Sequence, residues 1–183
     1  DWTFKGFDPW EYSSTDSYQR SVDSITYQIR LRSERRDYQD SESVDWVVGV
    51  YGYHHDLDLV RSYTYLGGDF TSSFGLDRYA VFGEITKGLS ADWRVRAGLR
   101  GEQVEMEYRD STELYYEPDE LVSGGRVLLE RSFQSGGLFY VGVRRGYKSG
   151  GFNTDGTIDQ DLRLYDEESL WNFEAGYKGQ FLD

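Results

Sequence analysis

The chain has 183 residues and a formal net charge of −13, which argues against a nucleic-acid partner, since phosphate binding needs a basic stripe. It has no cysteine, so neither a disulfide scaffold nor a thiolate metal site can be built. Aromatic residues reach 17%, too many for a disordered chain, and 21 Gly against 2 Pro with few helix signals point to pleated structure.

No apolar run approaches the ~18 residues of a transmembrane helix. A β-barrel crosses a membrane with alternating segments of about 10 residues, so the negative mean hydropathy does not decide between a soluble β protein and a membrane one. The sequence opens on Asp1, with no initiator methionine or signal peptide, and reads as a mature or truncated piece.

Residues 2–7 suggest a short strand. Residues 25–34, ITYQIRLRSE, alternate strictly: Ile25, Tyr27, Ile29 and Leu31 share one face, and Thr26, Gln28, Arg30 and Arg32 the other. Residues 45–53 and 79–87 predict two more strands. Residues 92–102, DWRVRAGLRGE, repeat the pattern, with Trp93, Val95, Ala97 and Leu99 opposite Arg94, Arg96 and Arg100. Three arginines on one strand face are costly in a dry core, but a wet interior with neighbouring acids accepts them. Further strands follow at 126–133, 138–147 and 170–179. In the last, Trp171, Phe173, Ala175 and Tyr177 oppose Asn172, Glu174 and Lys178.

The connections alternate in length. Residues 88–92 and 134–137 are tight hairpin links. Residues 54–77, 110–124 and 148–169 form long ones, the last two strongly acidic. Short turns on one side and long polar loops on the other are the plan of an outer-membrane barrel. Only the link 33–44 is longer than that plan prefers on its short side.

Few motifs carry chemistry. Residues 142–149, GVRRGYKS, fall short of a phosphate loop, because Tyr147 separates Gly146 from Lys148 and no helical pattern follows. His54 and His55 are adjacent and point to opposite faces of an extended chain, so with Asp56 and Asp58 they read as solvated loop rather than metal site. Glu102 is set by alternation on the face opposite Glu105 and Glu107, and there is no G-x-S-x-G elbow. No enzyme and no cofactor is expected. Trp46 and Trp93 suit a membrane-interface girdle. Tyr63, Tyr65, Tyr115 and Tyr116 lie in the long connections as candidate ligand contacts, with Arg61, Lys148 and Asn153 beside them.

Residues 144–153, RRGYKSGGFN, followed by residues 165–183, YDEESLWNFEAGYKGQFLD, resemble the late barrel of TonB-dependent outer-membrane receptors. Gly146, Tyr147, Lys148, Gly150, Gly151, Phe152 and Asn153 match that family's strand exit. Glu168, Leu170, Trp171, Asn172, Phe173, Glu174, Gly176, Lys178 and Gly179 match the strand after it. Weaker echoes precede them in order: ITYQIRLRS with Gln28 where the family usually has Glu, DWVVGVYGY, and the hairpin YAVFGEITKGLSADWRVRAGLRGE.

The resemblance implies an all-β, antiparallel up-and-down meander, with residues 1–183 forming part of a transmembrane barrel domain whose plug and last strands are absent. It implies a parent barrel of about twenty-two strands, located in a Gram-negative outer membrane and in contact with its lipid. Active transport of ferric siderophores or similar nutrients would be energised by the TonB complex through the missing plug domain. Phe139, Val141 and Val143 are then expected to face lipid, and Tyr140, Gly142 and Arg144 the lumen. Arg145 would sit on the lipid side near the rim. Lys148 to Asn153 would begin an extracellular loop. The lumen- or plug-facing candidates are Arg94, Arg96, Arg100, Glu102, Arg144, Glu174 and Lys178. Two other readings stay open: a small complete outer-membrane barrel with a structural or adhesive role, and a soluble all-β carbohydrate-binding module.

Overall fold

A computed structural model describes residues 2–5, 13–33, 44–65, 67–134, 136–154, 159 and 162–179. Its strands are β1 (Trp2–Lys5), β2 (Ser13–Arg32), β3 (Val44–Tyr63), β4 (Phe70–Gly88), β5 (Trp93–Asp110), β6 (Tyr115–Tyr116), β7 (Asp119–Ser132), β8 (Leu138–Lys148), β9 (Gly151–Phe152), β10 (Leu164–Tyr165) and β11 (Glu168–Lys178). The main sheet runs β1-β2-β3-β4-β5-β7-β8-β11, every neighbour antiparallel, with β6 added to the end of β5. The meander expected from the alternating segments is therefore present. The sheet is open: β1 and β11 each have one neighbour in it. Among the described residues neither a closed two-sheet core nor a small barrel sealed by its first and last strands is formed.

The tight links are as expected. Leu89 donates its backbone N–H to the Trp93 carbonyl at 2.8 Å, and Phe133 to the Gly137 carbonyl at 2.8 Å, with Gly136 at φ 84° completing the second turn. The link 33–44 lies largely outside the described residues. The long connections differ from expectation. β3 continues to Tyr63 and β4 begins at Phe70, so most of 54–77 is strand. Likewise β5 runs to Asp110 and β7 begins at Asp119. Acidic composition suggested loops there, but ladder pairing between two long strands satisfies the backbone whatever the outer side chains are.

Register sorts the side chains into two faces. One ladder row of the outer face reads Leu31, Val48, Gly83, Leu99, Gly125, Arg145, Trp171 from β2 to β11. With the rows around it this makes an apolar belt that holds Ile25, Ile29, Val50, Ile85, Val95, Val127, Val141 and Phe173. Leu99 and Phe173 are each 77% exposed. On β5 the belt occupies residues 93–101, which at ~3.3 Å per residue and a tilt near 40° spans roughly 20 Å, close to the apolar band of a barrel. Its upper edge slides along the ladder. On β2 it reaches Ile25, whose row holds His54, Asp77 and Glu105, whereas on β8 it stops at Val143, whose row holds Val127, Ala97, Ile85 and Trp46. A belt of constant height crosses ladder rows in this way when the strands tilt.

Above the belt the alternation inverts. On β5 the outer residues become Gln103, Glu105, Glu107 and Arg109, and the inner ones Val104, Met106 and Tyr108. On β3 the outer residues become His54, Asp56 and Asp58 while Leu57 and Leu59 turn inward. Val104, Met106 and Val122 form the buried cluster, with Phe74, Leu76 and Tyr147 packed against it. Among the described residues, every buried strand side chain lies on this inner face or on the hairpin that covers it.

Candidate functional site

The inner face has two storeys. In the lower one, opposite the belt, arginines and glutamates alternate across strands. Arg94 Nε donates to Glu130 at 2.9 Å, and Arg144 to Glu174 at 2.6 Å. Glu84 lies between Arg126, which bonds it directly, and Arg96, whose Nε stands 3.7 Å away. Lys178 lies over the Tyr140 ring at 5.8 Å. Arg30 and Arg32 share this face. Cations exceed carboxylates here although the whole chain is strongly acidic. The seven residues singled out as lumen-facing thus lie on one face. They arise from simple alternation: even-numbered positions of β5, β8 and β11 share a side of the pleat.

Glu102 is the centre of the network and is only 3% exposed. It accepts hydrogen bonds from Arg100 at 2.9 Å and from the Tyr147 hydroxyl at 2.7 Å, and Arg78 stands 3.7 Å away. Arg100 also donates to the Tyr147 hydroxyl at 3.0 Å and covers the Tyr51 ring at 4.9 Å. A carboxylate buried without such donors would carry a desolvation cost that these bonds offset. Strict alternation from Arg145 would put Tyr147 on the outer face. The structure turns it inward, because the β7–β8 ladder ends at Gly125–Arg145 while β8 stays paired to β11 as far as Lys148. Above that point β8 leaves β7 and leans over the inner face. Gly124 makes the approach feasible: a Cβ there would stand 2.8 Å from the Arg145 carbonyl and 3.0 Å from the Tyr147 ring.

That lean delivers the next segment into the upper storey. The sequence has an extracellular loop begin at Lys148 to Asn153, with no direction assigned to it. Ser149 to Thr154 lie across the inner side of β4, β5 and β7. Arg78 donates to Ser149 Oγ at 3.0 Å, the Gly150 N–H to Glu120 at 2.9 Å, and Ser72 Oγ to the Thr154 carbonyl at 3.4 Å. Phe152 stacks on Tyr108 with ring centres 4.0 Å apart, and β9 pairs with β10 as a two-stranded hairpin. Arg163, next to β10, donates to Asp110 at 2.9 Å in an ion pair nearly closed to solvent. Burial alone would push the Asp110 carboxyl up. Hydrogen bonds from the Thr112 side chain and backbone, the Tyr108 hydroxyl and the Leu114 N–H outweigh it and hold the carboxyl below its ordinary value. Burial, reinforced by Asp110, pushes the Tyr108 hydroxyl up to about 12.

The ligand-contact candidates scatter. Arg61 is not a loop cation: it lies buried on the inner face of β3, where its Nε and Nη2 grip Asp16 at 2.9 and 2.7 Å. That grip holds the Asp16 carboxyl below its usual range. Tyr63 closes β3, edge-on to exposed Tyr65 at 5.4 Å. Tyr116 faces inward, 6.0 Å from the Phe152 ring, while Tyr115 pairs with Arg109 on the outer side and donates to Glu117 at 2.7 Å. Lys148 covers the Tyr165 ring at 5.4 Å. Asn153 donates its N–H to the Arg163 carbonyl at 2.8 Å. Tyr116 and Asn153 thus adjoin the hairpin, whereas Arg61, Tyr63, Tyr65 and Tyr115 belong to the neighbouring rim.

Sequence reasoning missed Arg78, Glu84, Glu130, Tyr147, Tyr108, Asp110 and Arg163. The signal for several was present: Val104, Met106 and Tyr108 alternate with charged residues in the opposite phase to Trp93, Val95, Ala97 and Leu99. Chemically, the cationic surplus of the lower storey can attract anions. Among the described residues no cluster of His, Asp or Glu is suited to hold a metal ion.

No family model matches the sequence. Among solved structures the chain is similar to the ferric yersiniabactin uptake receptor FyuA from Yersinia pestis, at 17% identity and a TM-score of 0.76, covering 93% of this chain and 28% of that one. It is similar to the ferric citrate transporter FecA in its unliganded form, at 14% identity and a TM-score of 0.60, covering 90% and 26%. It is also similar to BauA, the ferric preacinetobactin receptor from Acinetobacter baumannii, at 14% identity and a TM-score of 0.57, covering 93% and 28%. The chain therefore spans roughly a quarter of the length of these structures. The fold is that of a sector of an antiparallel barrel wall shared with these structures.

Proposed function

We propose that this chain is part of the barrel wall of a Gram-negative outer-membrane receptor that imports ferric siderophores or similarly large anionic nutrients, energised through TonB. The observation that carries the reading is the polarity of the sheet: one face holds a tilted apolar belt, and the other an arginine-rich ionic network. In a soluble protein the belt would be the side to bury, and the ions the side to expose. In a bilayer the reverse arrangement is favourable, because hydrocarbon replaces the missing core and water fills the bore.

The cationic surplus of the lower storey suits an anionic cargo or the acidic patches of a plug. Residues 149–154 and 162–165, with Tyr116 and Asn153 at hand, would meet cargo entering from above. Ion pairs in a wet bore each contribute little, which suits a plug that must shift under load. The neighbours named above are an uptake receptor, a transporter and a receptor for ferric complexes, which supports transport over catalysis. The open edges at β1 and β11 favour a sector of a larger barrel over a small complete one, since unpaired backbone groups in hydrocarbon cost several kcal/mol each.

The test is solvent accessibility in the full-length protein reconstituted in lipid. Spin labels at Val141 and Val143 are expected to be accessible to oxygen and shielded from a water-soluble relaxer, and a label at Tyr140 the opposite. The reverse pattern would overturn the reading.

A further inference from the structure

The outer belt carries a groove that cargo transport does not use. Gly83, Gly101 and Gly125 remove side chains from adjacent strands and leave an open cleft of about 970 Å³, walled by Trp46, Leu99, Val127 and Trp171. The floor is tight at one point and open at another. A Cβ at Gly125 would meet Leu99 Cδ2 at 2.8 Å, whereas a Cβ at Gly101 would meet nothing within 4 Å.

Arg145 closes the upper end of the groove. It stands on the lipid side of β8, with Gly125 on one flank and Trp171 on the other. Its Nη1 donates to the Ser123 carbonyl, and lies 3.3 Å from Ser123 Oγ. Arg94, Arg96, Arg100, Arg126 and Arg144 on the inner face each have a glutamate partner. Arg145 has no carboxylate within ion-pair distance among the described residues, and the outer face of the belt holds no acid at all. A cation on a lipid-facing surface is costly unless it reaches an anion or the headgroup layer. Arg145 sits where the belt of β8 ends, and Trp171 beside it suits that interface.

We propose that this groove binds one phospholipid of net negative headgroup from the surrounding membrane, with an acyl chain along the glycine floor and the phosphate, not neutralised by a headgroup cation, on Arg145 and the Ser123 hydroxyl. A guanidinium held by one nitrogen keeps a second edge for bidentate phosphate bonding. A second copy of the chain fits less well, since an isologous contact between acid-free belts would leave both arginines without a counter-charge. The proposal rests on the barrel reading.

Native mass spectrometry of the full-length protein, taken from micelles doped with phosphatidylglycerol or with phosphatidylcholine, tests it. The wild type is expected to retain one phosphatidylglycerol at least tenfold more than phosphatidylcholine. Arg145→Gln should lose that preference, and Arg145→Lys should keep part of it. Gly101→Leu, placed where space is open, should lose the lipid through the chain rather than the head. Equal retention by wild type and Arg145→Gln overturns the proposal. So does displacement by inorganic phosphate alone, which would mark a bare anion site. A spin label at Phe173 separates the two readings. Lipid contact there without phosphatidylglycerol retention removes only this site, and water contact there removes the barrel reading as well.

Discussion

β3, β4 and β5 each contain two regions of the same strand that obey opposite rules. In the lower half of β5, Trp93, Val95, Ala97 and Leu99 face outward and Arg94, Arg96 and Arg100 inward; in the upper half, Glu105 and Glu107 face outward and Val104 and Met106 inward. The backbone ladder passes through the change without a break. On the proposed barrel reading, what changes is the solvent on the outside. Where hydrocarbon would surround the wall, apolar side chains go out; where water would surround it, they go in and need a cover, which Phe152 and its hairpin provide. Glu102 and Arg78 stand at the junction, bonded to the network below and, through Arg78, to Ser149 above.

If the upper half is a water-type core, its cover should depend on the buried ion pair. Arg163→Ala leaves the Asp110 carboxylate enclosed, and removing one partner of such a pair costs about 3–5 kcal/mol. Hydrogen exchange at the Asn153 amide, bonded to the Arg163 carbonyl, should accelerate by at least a hundredfold; unchanged protection would mean the hairpin is held by something else. Met106→Ala should cost ~2–5 kcal/mol by opening a cavity, while Glu105→Ala beside it should stay within about 0.5 kcal/mol. Equal effects, measured by denaturant unfolding in lipid, would erase the inward packing.

The lower half is tested by the opposite change. Val48→Lys puts a charge near mid-belt and should cost about 2–4 kcal/mol, whereas Asp58→Lys on the same face of the same strand should cost next to nothing. A similar penalty at both sites would argue against a lipid boundary between them.

The smallest effect lies just above that boundary. Hydrogen bonds from His54 Nδ1 to Asp77 at 2.8 Å and Nε2 to Asp56 at 2.9 Å raise its pKa above the ordinary 6.5. A raised folded-state pKa stabilises the fold below the unfolded value, and the contribution disappears as pH rises through the folded one. NMR titration should place the His54 midpoint above 6.5, and Asp77→Asn should bring it down; a midpoint that ignores Asp77 would refute the pairing.

Much of this was legible in the residues. Period-two alternation in residues 25–31, 93–99 and 171–177 is a local property, so the strands, their two faces and the seven inner-face residues followed directly. The inverted stretches were legible in principle, but their acidity resembled loops, because composition reports solvent exposure and not backbone pairing. Arg61 read as a loop cation for the same reason; only Asp16, far away in sequence and adjacent on β2, revealed it as a strand residue.

The sequence by itself determined the alternation, and with it which residues could share a face, since that depends only on the pleat. Tertiary structure alone decided the rest: the register that brings Glu102 to Tyr147, the point where β8 leaves β7, and the inward turn of residues 149–154. Those depend on cross-strand partners tens of residues apart and on a glycine whose missing Cβ lets Tyr147 pass, and no local pattern carries that information.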